Sequence, residues 1–269
     1  MSILACPVCG EKLEISGKTY HCPNRHSFDA ARSGYVNLLL SNHAGGVHGD
    51  NKLMVSARRD FLEAGHYEPL RAALCRKVAE FSSEGCVILD AGCGEGYYTS
   101  AIIDRSKIAV DVTGIDISKT AVDFAAKRKC GAAFAAGSVF HLPVISSSCD
   151  ILVTLFAPYC GDEFRRVLKP GGVMIMAIPS AEHLWELKTA IYDIPYKNEV
   201  KPYELEGFEF LGSERITNEI FLSTQQEIWS LFTMTPYYYK TGAAEQERLR
   251  QLTELRVTTD FELLTYRNI

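Results

Sequence analysis

The chain has 269 residues, 47% of them hydrophobic, and a formal net charge of −5. A chain of this length and apolarity forms one sizeable core with a small appendage, or two modest domains, and its acidic balance excludes nucleic-acid binding by bulk electrostatics. No apolar run approaches the length of a membrane span, so a spanning helix is excluded too.

Charge is uneven along the chain. Residues 1–80 hold 10 basic and 8 acidic side chains, against 18 and 25 in the remainder, so an electrostatic footprint for a polyanion belongs to the N-terminal part. Nine cysteines with no signal peptide point to a reducing, cytoplasmic setting, where thiols are metal ligands or small core residues. Cys6 and Cys9 (CPVC), then Cys22 and His26 (CPNRH), give CxxC, a gap of 12 residues and CxxxH. Three thiolates and one imidazole complete a tetrahedron with no open position, which makes the expected zinc structural. The intervening GEKLEISGKTYH has the Gly-broken alternation of a hairpin that brings the two pairs together. His21 competes with His26 as fourth ligand, but CxxxH matches the reach of a knuckle better. A Cys6–Cys9 disulfide or a redox CxxC leaves the second pair unexplained. Zinc binding supplies on the order of 10–16 kcal/mol that appears as local folding. Cys75, Cys86, Cys93, Cys130, Cys149 and Cys160 sit singly among apolar neighbours and read as core residues.

A zinc-binding module thus spans residues 1–36, and 37–83 form a linker and helical preface. GYVNLLL (34–40) reads as a short apolar strand or tether, and SNHAGGVHGDN (41–51) as a polar, Gly-rich loop with His43 and His48 in solvent and Asp50 as the cap of the next helix. Helical spacing marks 52–64, ended by Gly65, and 67–81. Strands and helices then alternate: strand 86–90, helix 96–105, strand 110–116, helix 118–129, strands 132–136 and 149–155, helix 160–168, strand 172–178. This alternation predicts an α/β, doubly wound Rossmann-like sheet over residues 84–269. Helices near 181–191, 224–232 and 243–253 and strands near 207–221 and 257–266 complete it.

The stretch VILDAGCGEGYYTS (87–100) runs an apolar strand into Gly92, Gly94 and Gly96. Without a Cβ at these positions the backbone turns sharply and a ligand approaches the peptide groups closely. Asp116 ends the next apolar run, where a doubly wound sheet needs an acid for the ribose hydroxyls. The pattern is GxGxG, not the dinucleotide GxGxxG, and it is flanked by Asp90 and Glu95. Acids there repel a pyrophosphate and suit the sulfonium and ammonium of S-adenosylmethionine. With SVFHLPVISSSCDILVT (138–154) and LKPGGVMIMAIP (168–179), the unit resembles a class I methyltransferase.

On that reading the cofactor crosses the C-terminal ends of the first strands. Asp90, Gly92, Gly94, Glu95 and Gly96 surround its amino-acid part, Asp116 its ribose, and Ser138 with Val139 its adenine edge, although many class I enzymes carry Asp at the position of Ser138. The target arrives at TLFAPYC (154–160), making Phe156, Pro158 and Tyr159 target-side candidates, with no catalytic residue identified. Enzymes that methylate exocyclic base amines present Asn or Asp before Pro-Pro-Tyr or Pro-Pro-Phe. Ala157 before Pro158 and Tyr159 argues against an amine target.

The zinc module ahead of GYVNLL, RRDFLEAGHYEPL, LDAGCGEGYYT, FAP, EFRRVLKPGG, HLWELK and MTP resembles the bacterial 23S rRNA guanine-N1 methyltransferases of the RlmA (RrmA) type over nearly the whole chain. The resemblance implies that Cys6, Cys9, Cys22 and His26 hold zinc, and that the module grips an rRNA hairpin. It implies that Tyr67 and His183 line the cofactor pocket with Gly94 and Glu95, and that the enzyme is a homodimer methylating N1 of one guanosine. Two rivals remain: a small-molecule, quinone-type methyltransferase, since HLPVISSSCDILV is a generic segment, and a non-catalytic zinc-containing RNA-binding module.

Overall fold

The computed structural model describes residues 3–40, 51–200 and 203–269. His43, His48 and Asp50 lie outside the described residues. Three short antiparallel strands open the chain: β1 (Glu14–Ser16), β2 (Thr19–His21) and β3 (Ser27–Asp29). β1 and β2 form the expected hairpin, turning at Gly17 with φ of 64°, a backbone region that glycine enters without steric cost. The third strand carries no alternating pattern and was not legible in the sequence.

The tether becomes β4 (Val36–Asn37), and two helices follow, α1 (Lys52–Glu63) and α2 (Glu68–Phe81). Asn51, one position after the expected Asp50, caps α1: its side chain accepts the Met54 N–H at 3.0 Å. Both residue types make good caps, so sequence left the choice open by one position. Then come β5 (Cys86–Ala91), α3 (Tyr97–Arg105), β6 (Val110–Asp116), α4 (Lys119–Lys127), β7 (Ala133–Ala136), β8 (Cys149–Leu155), α5 (Gly161–Val167) and β9 (Leu168–Pro179). The C-terminal third adds α6 (Trp185–Ile191), β10 (Phe208–Leu222), α7 (Gln225–Thr233), α8 (Tyr237–Lys240), α9 (Ala243–Arg250) and β11 (Leu255–Asn268). The single turn α8 is the one helix among the described residues that periodicity did not announce, being too short to display a period.

The large sheet has eight strands in the order β10-β11-β9-β8-β5-β6-β7-β4. Neighbours from β9 to β4 are parallel, and β11 runs antiparallel between β9 and β10. Strand order reverses at β5, which lies between β6 and β8, so the C-terminal ends of these strands open the crevice where ligands of such sheets bind. Successive β5 residues face opposite ways: Ile88 joins the core under α2 and α3, while Leu89 and Ala91 join a second core. That second core also takes Leu4, Leu13 and Tyr20 of the zinc module. Leu4 and Leu13 are fully buried, each contributing about 1.5–3 kcal/mol, so the module is packed onto the sheet rather than hung from it.

Candidate cofactor cradle and metal centre

Both cysteine pairs are shaped by backbone turns. Gly10 N–H donates to Cys6 O at 2.8 Å and Arg25 N–H to Cys22 O at 3.0 Å, with Gly10 and Arg25 in left-handed conformations. The turns aim four side chains at one point: the ligand atoms of Cys6, Cys9, Cys22 and His26 all lie within 4.8 Å of one another. Cys9 Sγ is 3.7 Å from Cys22 Sγ, and His26 Nδ1 is 3.4 Å from Cys22 Sγ and 3.5 Å from Cys6 Sγ. A tetrahedron built on Zn–S near ~2.3 Å and Zn–N near ~2.0 Å has edges of roughly that length. The donor set therefore fits zinc through Nδ1 of His26. His21 is committed to β2, paired with Glu14 on one side and Ser27 on the other. The Asn24 side chain, followed by the Glu11 backbone, holds the Cys9 thiol down to about 6, which favours the thiolate that binds metal.

At the end of β5 the three glycines do three different jobs. A Cβ on Gly92 (φ 90°) would lie 2.4 Å from Ala157 Cβ, so this glycine lets the segment after β8 close over the turn. A Cβ on Gly96 (φ 82°) would lie 3.0 Å from Ala125 Cβ, so this one admits α4. Gly94 (φ 54°) has nothing within 4 Å of its Cβ position; its bare face looks into the open cradle. Gly94 N–H donates to Asp116 Oδ2 at 2.9 Å and Ser118 N–H to Asp116 Oδ1 at 2.8 Å, which fixes the ribose-side acid against the turn.

Two further carboxylates are buried here. Asp90, 1% exposed, accepts the Thr99 hydroxyl on Oδ2 at 2.6 Å, and its Oδ1 has no partner. Burial pushes its carboxyl up to about 7, against the lowering effect of Thr99. Glu95 is ion-paired through Oε2 to Arg128, which also reaches Glu63 of α1, while its Oε1 is unpartnered. The expectation that both acids face a cation directly is thereby refined: Arg128 already neutralises one oxygen of Glu95. Two orphaned carboxylate oxygens around a glycine turn are acceptors for an ammonium group, because a buried acceptor left unmade is costly. The residues present fit the amino-acid end of S-adenosylmethionine.

Sequence reasoning missed Arg128 and Arg58, since both arrive from distant helices. Arg58 of α1 donates to Met234 O at 2.9 Å. Burial lowers its guanidinium, while Asp116 and Glu95 act to keep it charged. Tyr67, the residue before α2, and His183, from the turn before α6, do come together: their ring centroids are 6.2 Å apart, and Phe261 of β11 packs on both, at 4.9 and 4.5 Å. His183 Nδ1 accepts the Asp260 N–H at 3.1 Å, and burial drops its imidazole to about 3. The ring is neutral and carries its hydrogen on Nε2.

The target-side candidates separate. Phe156, in a left-handed conformation with φ of 58° and 47% exposed, places its ring 5.4 Å from Phe261, next to the Tyr67–His183 group. Tyr159 instead packs edge-on against Phe164 of α5, at 5.7 Å, and Pro158 lies between the two. Ser138 Oγ accepts the Phe140 N–H at 3.2 Å, in the loop after β7, and Val139 is buried beside it.

Comparison with known proteins agrees with both halves. Residues 4–44 match the zinc-ribbon family described as RlmA, N-terminal, and residues 82–229 match a methyltransferase domain. A 23S rRNA (guanine(748)-N(1))-methyltransferase of Streptomyces fradiae is 34% identical over 79% of this chain and 78% of its own length. A Micromonospora griseorubida protein provisionally named 23S rRNA (guanine-N(1)-)-methyltransferase is 35% identical over 99% of this chain and 97% of its own. A solved structure provisionally described as a type II methyltransferase from Anaeromyxobacter dehalogenans shares the fold, with a TM-score of 0.52 at 20% identity over 72% of this chain and 95% of that one. Zinc knuckle, glycine cradle and whole-length similarity together place this chain in the RlmA-type 23S rRNA (guanine-N1)-methyltransferase family.

Proposed function

We propose that this chain transfers the methyl group of S-adenosylmethionine to N1 of a guanosine in a hairpin of 23S rRNA, acting as a cytoplasmic homodimer. The observation that carries the reading is the joining, in one packed unit, of a Cys3His knuckle and a glycine cradle whose two buried acids each keep one unpartnered oxygen. The dimer and the hairpin rest on the family resemblance. A dimer sets two modestly basic N-terminal modules beside one RNA.

S-adenosylmethionine supplies an already activated methyl group on a sulfonium, so the protein needs no covalent nucleophile and its work is alignment and exclusion of water. In this reading Asp90 Oδ1 and Glu95 Oε1 receive the ammonium, Arg58 faces the carboxylate, Asp116 the ribose, and Ser138 and Val139 the adenine edge. Phe156 presents its face to the target base, for which stacking contributes about 1–3 kcal/mol. A left-handed aromatic residue costs about 1–3 kcal/mol, which the site sustains because that backbone turns the ring toward Phe261. Guanine N1 must give up its proton, taken by solvent water, before it attacks. The neutral His183, with a hydrogen on Nε2, is a donor suited to the carbonyl beside N1, where charge builds as the proton leaves.

The test is incubation of purified, zinc-loaded protein with radiolabelled S-adenosylmethionine and transcripts of 23S rRNA hairpins, followed by nucleoside analysis. Label in 1-methylguanosine is expected. Label in an exocyclic amine or a ribose, or transfer only to small metabolites, would sink the proposal.

A further inference from the structure

The loop assigned above to the adenine edge is held on one side by the tether that leaves the zinc module and on the other by the module itself. On one side, β4 pairs with the end of β7, Val36 to Ala135 and Asn37 to Ala136, and Leu38 N–H donates to Ala136 O at 2.9 Å. The chain then passes through Gly137 to Ser138 and Val139. On the other side, Leu4 bridges Val144, Ala5 N–H donates to Pro143 O at 2.8 Å, and Ile145 N–H to Ile3 O at 2.9 Å. Cys6, the first metal ligand, directly follows this grip. Between the two grips lies a cavity of about 640 Å³, with Cys6, Pro7 and Gly10 of the knuckle facing Ile117, Ser138 and Phe140 of the sheet. Ile117 follows the ribose-side Asp116 and Ser138 opens the adenine-edge loop, so the cavity borders residues assigned to the cofactor, with the knuckle on its outer side.

We infer that the zinc knuckle is the outer wall of the cofactor pocket, and that metal loading therefore sets the affinity for S-adenosylmethionine as well as any contact with RNA. The inference rests on the cofactor reading given above. Its physical basis is the weakness of the module alone. Its three strands have three residues each, and Ile15 and Val8 are more than half exposed, so it depends on metal for its fold. When it unfolds, residues 143–145 lose their partners at 3–5 and the tether on the other flank loses its anchor, so the cofactor must order that loop on binding, at a cost in affinity.

Isothermal titration of S-adenosylmethionine into zinc-loaded protein, chelator-stripped protein and stripped protein given zinc back tests this. Stripping is expected to raise Kd by about tenfold or more, a change in binding free energy of the size that ordering one or two residues demands, and zinc is expected to restore it. A second variant, L39S/L40S, alters two cavity-lining side chains of the tether while leaving all four ligands. It should raise Kd with one zinc per chain retained by elemental analysis. Equal Kd in loaded and stripped protein whose sheet stays folded by circular dichroism overturns the inference. If stripping unfolds the sheet, an unchanged Kd in L39S/L40S overturns it. Absence of binding to the zinc-loaded protein strikes the cofactor reading itself.

Discussion

At the scale of single residues, the cradle is governed by acids taken out of water. Asp90 titrates near 7 in the folded chain, against an ordinary value of 3.8. Between those values the folded form holds a proton that the unfolded chain has released, so Asp90's contribution to stability falls as pH rises from about 4 to 7. Cofactor binding has the opposite slope: an ammonium requires the ionised carboxylate, so binding releases the proton. Affinity should rise about tenfold per pH unit below 7 and level off above it. Titration calorimetry between pH 5.5 and 8 checks this, and D90N should bind weakly with a flat profile; a flat wild-type profile contradicts it. The glycines give a second contrast. G92A, whose Cβ meets Ala157 at 2.4 Å, should cost about 1–3 kcal/mol of stability in urea unfolding. G94A meets no protein atom within 4 Å and should cost only about 1–2 kcal/mol, the backbone penalty alone, yet abolish cofactor binding. The sequence displayed this site because turn glycines and knuckle cysteines are local, close-spaced signals. It hid Arg58, Arg128 and Phe261, whose roles exist only after α1, α4 and β11 have packed. For the same reason it credited Glu95 with a free charge that Arg128 in fact shares.

At the scale of elements, two segments shape the target side. The segment after β8 carries Phe156 in its left-handed conformation. F156A should reduce kcat/KM on RNA by about tenfold or more, the value of one base stack, while leaving the Kd of S-adenosylmethionine unchanged. Equal losses in both would show that the ring serves the cofactor instead. The turn before α6 is latched from within by Lys188, which is fully buried. Its Nζ donates to Tyr196 O at 3.0 Å and to Asn198 Oδ1 at 2.7 Å, and Asn198 Nδ2 in turn donates to Ser180 O at 2.8 Å. K188M strands those acceptors, so urea unfolding should show a loss of about 2–4 kcal/mol, with a lower kcat on RNA as the turn that bears His183 loses its support. The strand and helix alternation from 86 to 178 was legible because each element has its own period. The latch was not: it joins a helix to an irregular stretch with no pattern at all.

At the scale of the whole molecule, the fold is built on the eight-stranded sheet, to which both ends of the chain add strands. The N-terminal part contributes the edge strand β4, and the antiparallel pair β10 and β11 forms the other edge beside β9. The sequence announced two units, a zinc module and a Rossmann-like domain, because each has its own motif. It could not announce that the two share a core, since Leu4, Leu13 and Tyr20 are apolar residues like any others until they meet Ile115, Val139 and Leu142. The shared core packs the knuckle against the loop that carries Ser138 and Val139. The methyl transfer proposed above falls on N1 of guanine. It is tested most directly by nucleoside mass spectrometry and primer-extension mapping of 23S rRNA from cells with and without the gene. Loss of a single 1-methylguanosine, and its stop, from one hairpin of the deletion strain is expected, restored by the wild-type chain and not by G94A. An unchanged 1-methylguanosine content and an unchanged stop pattern would contradict it.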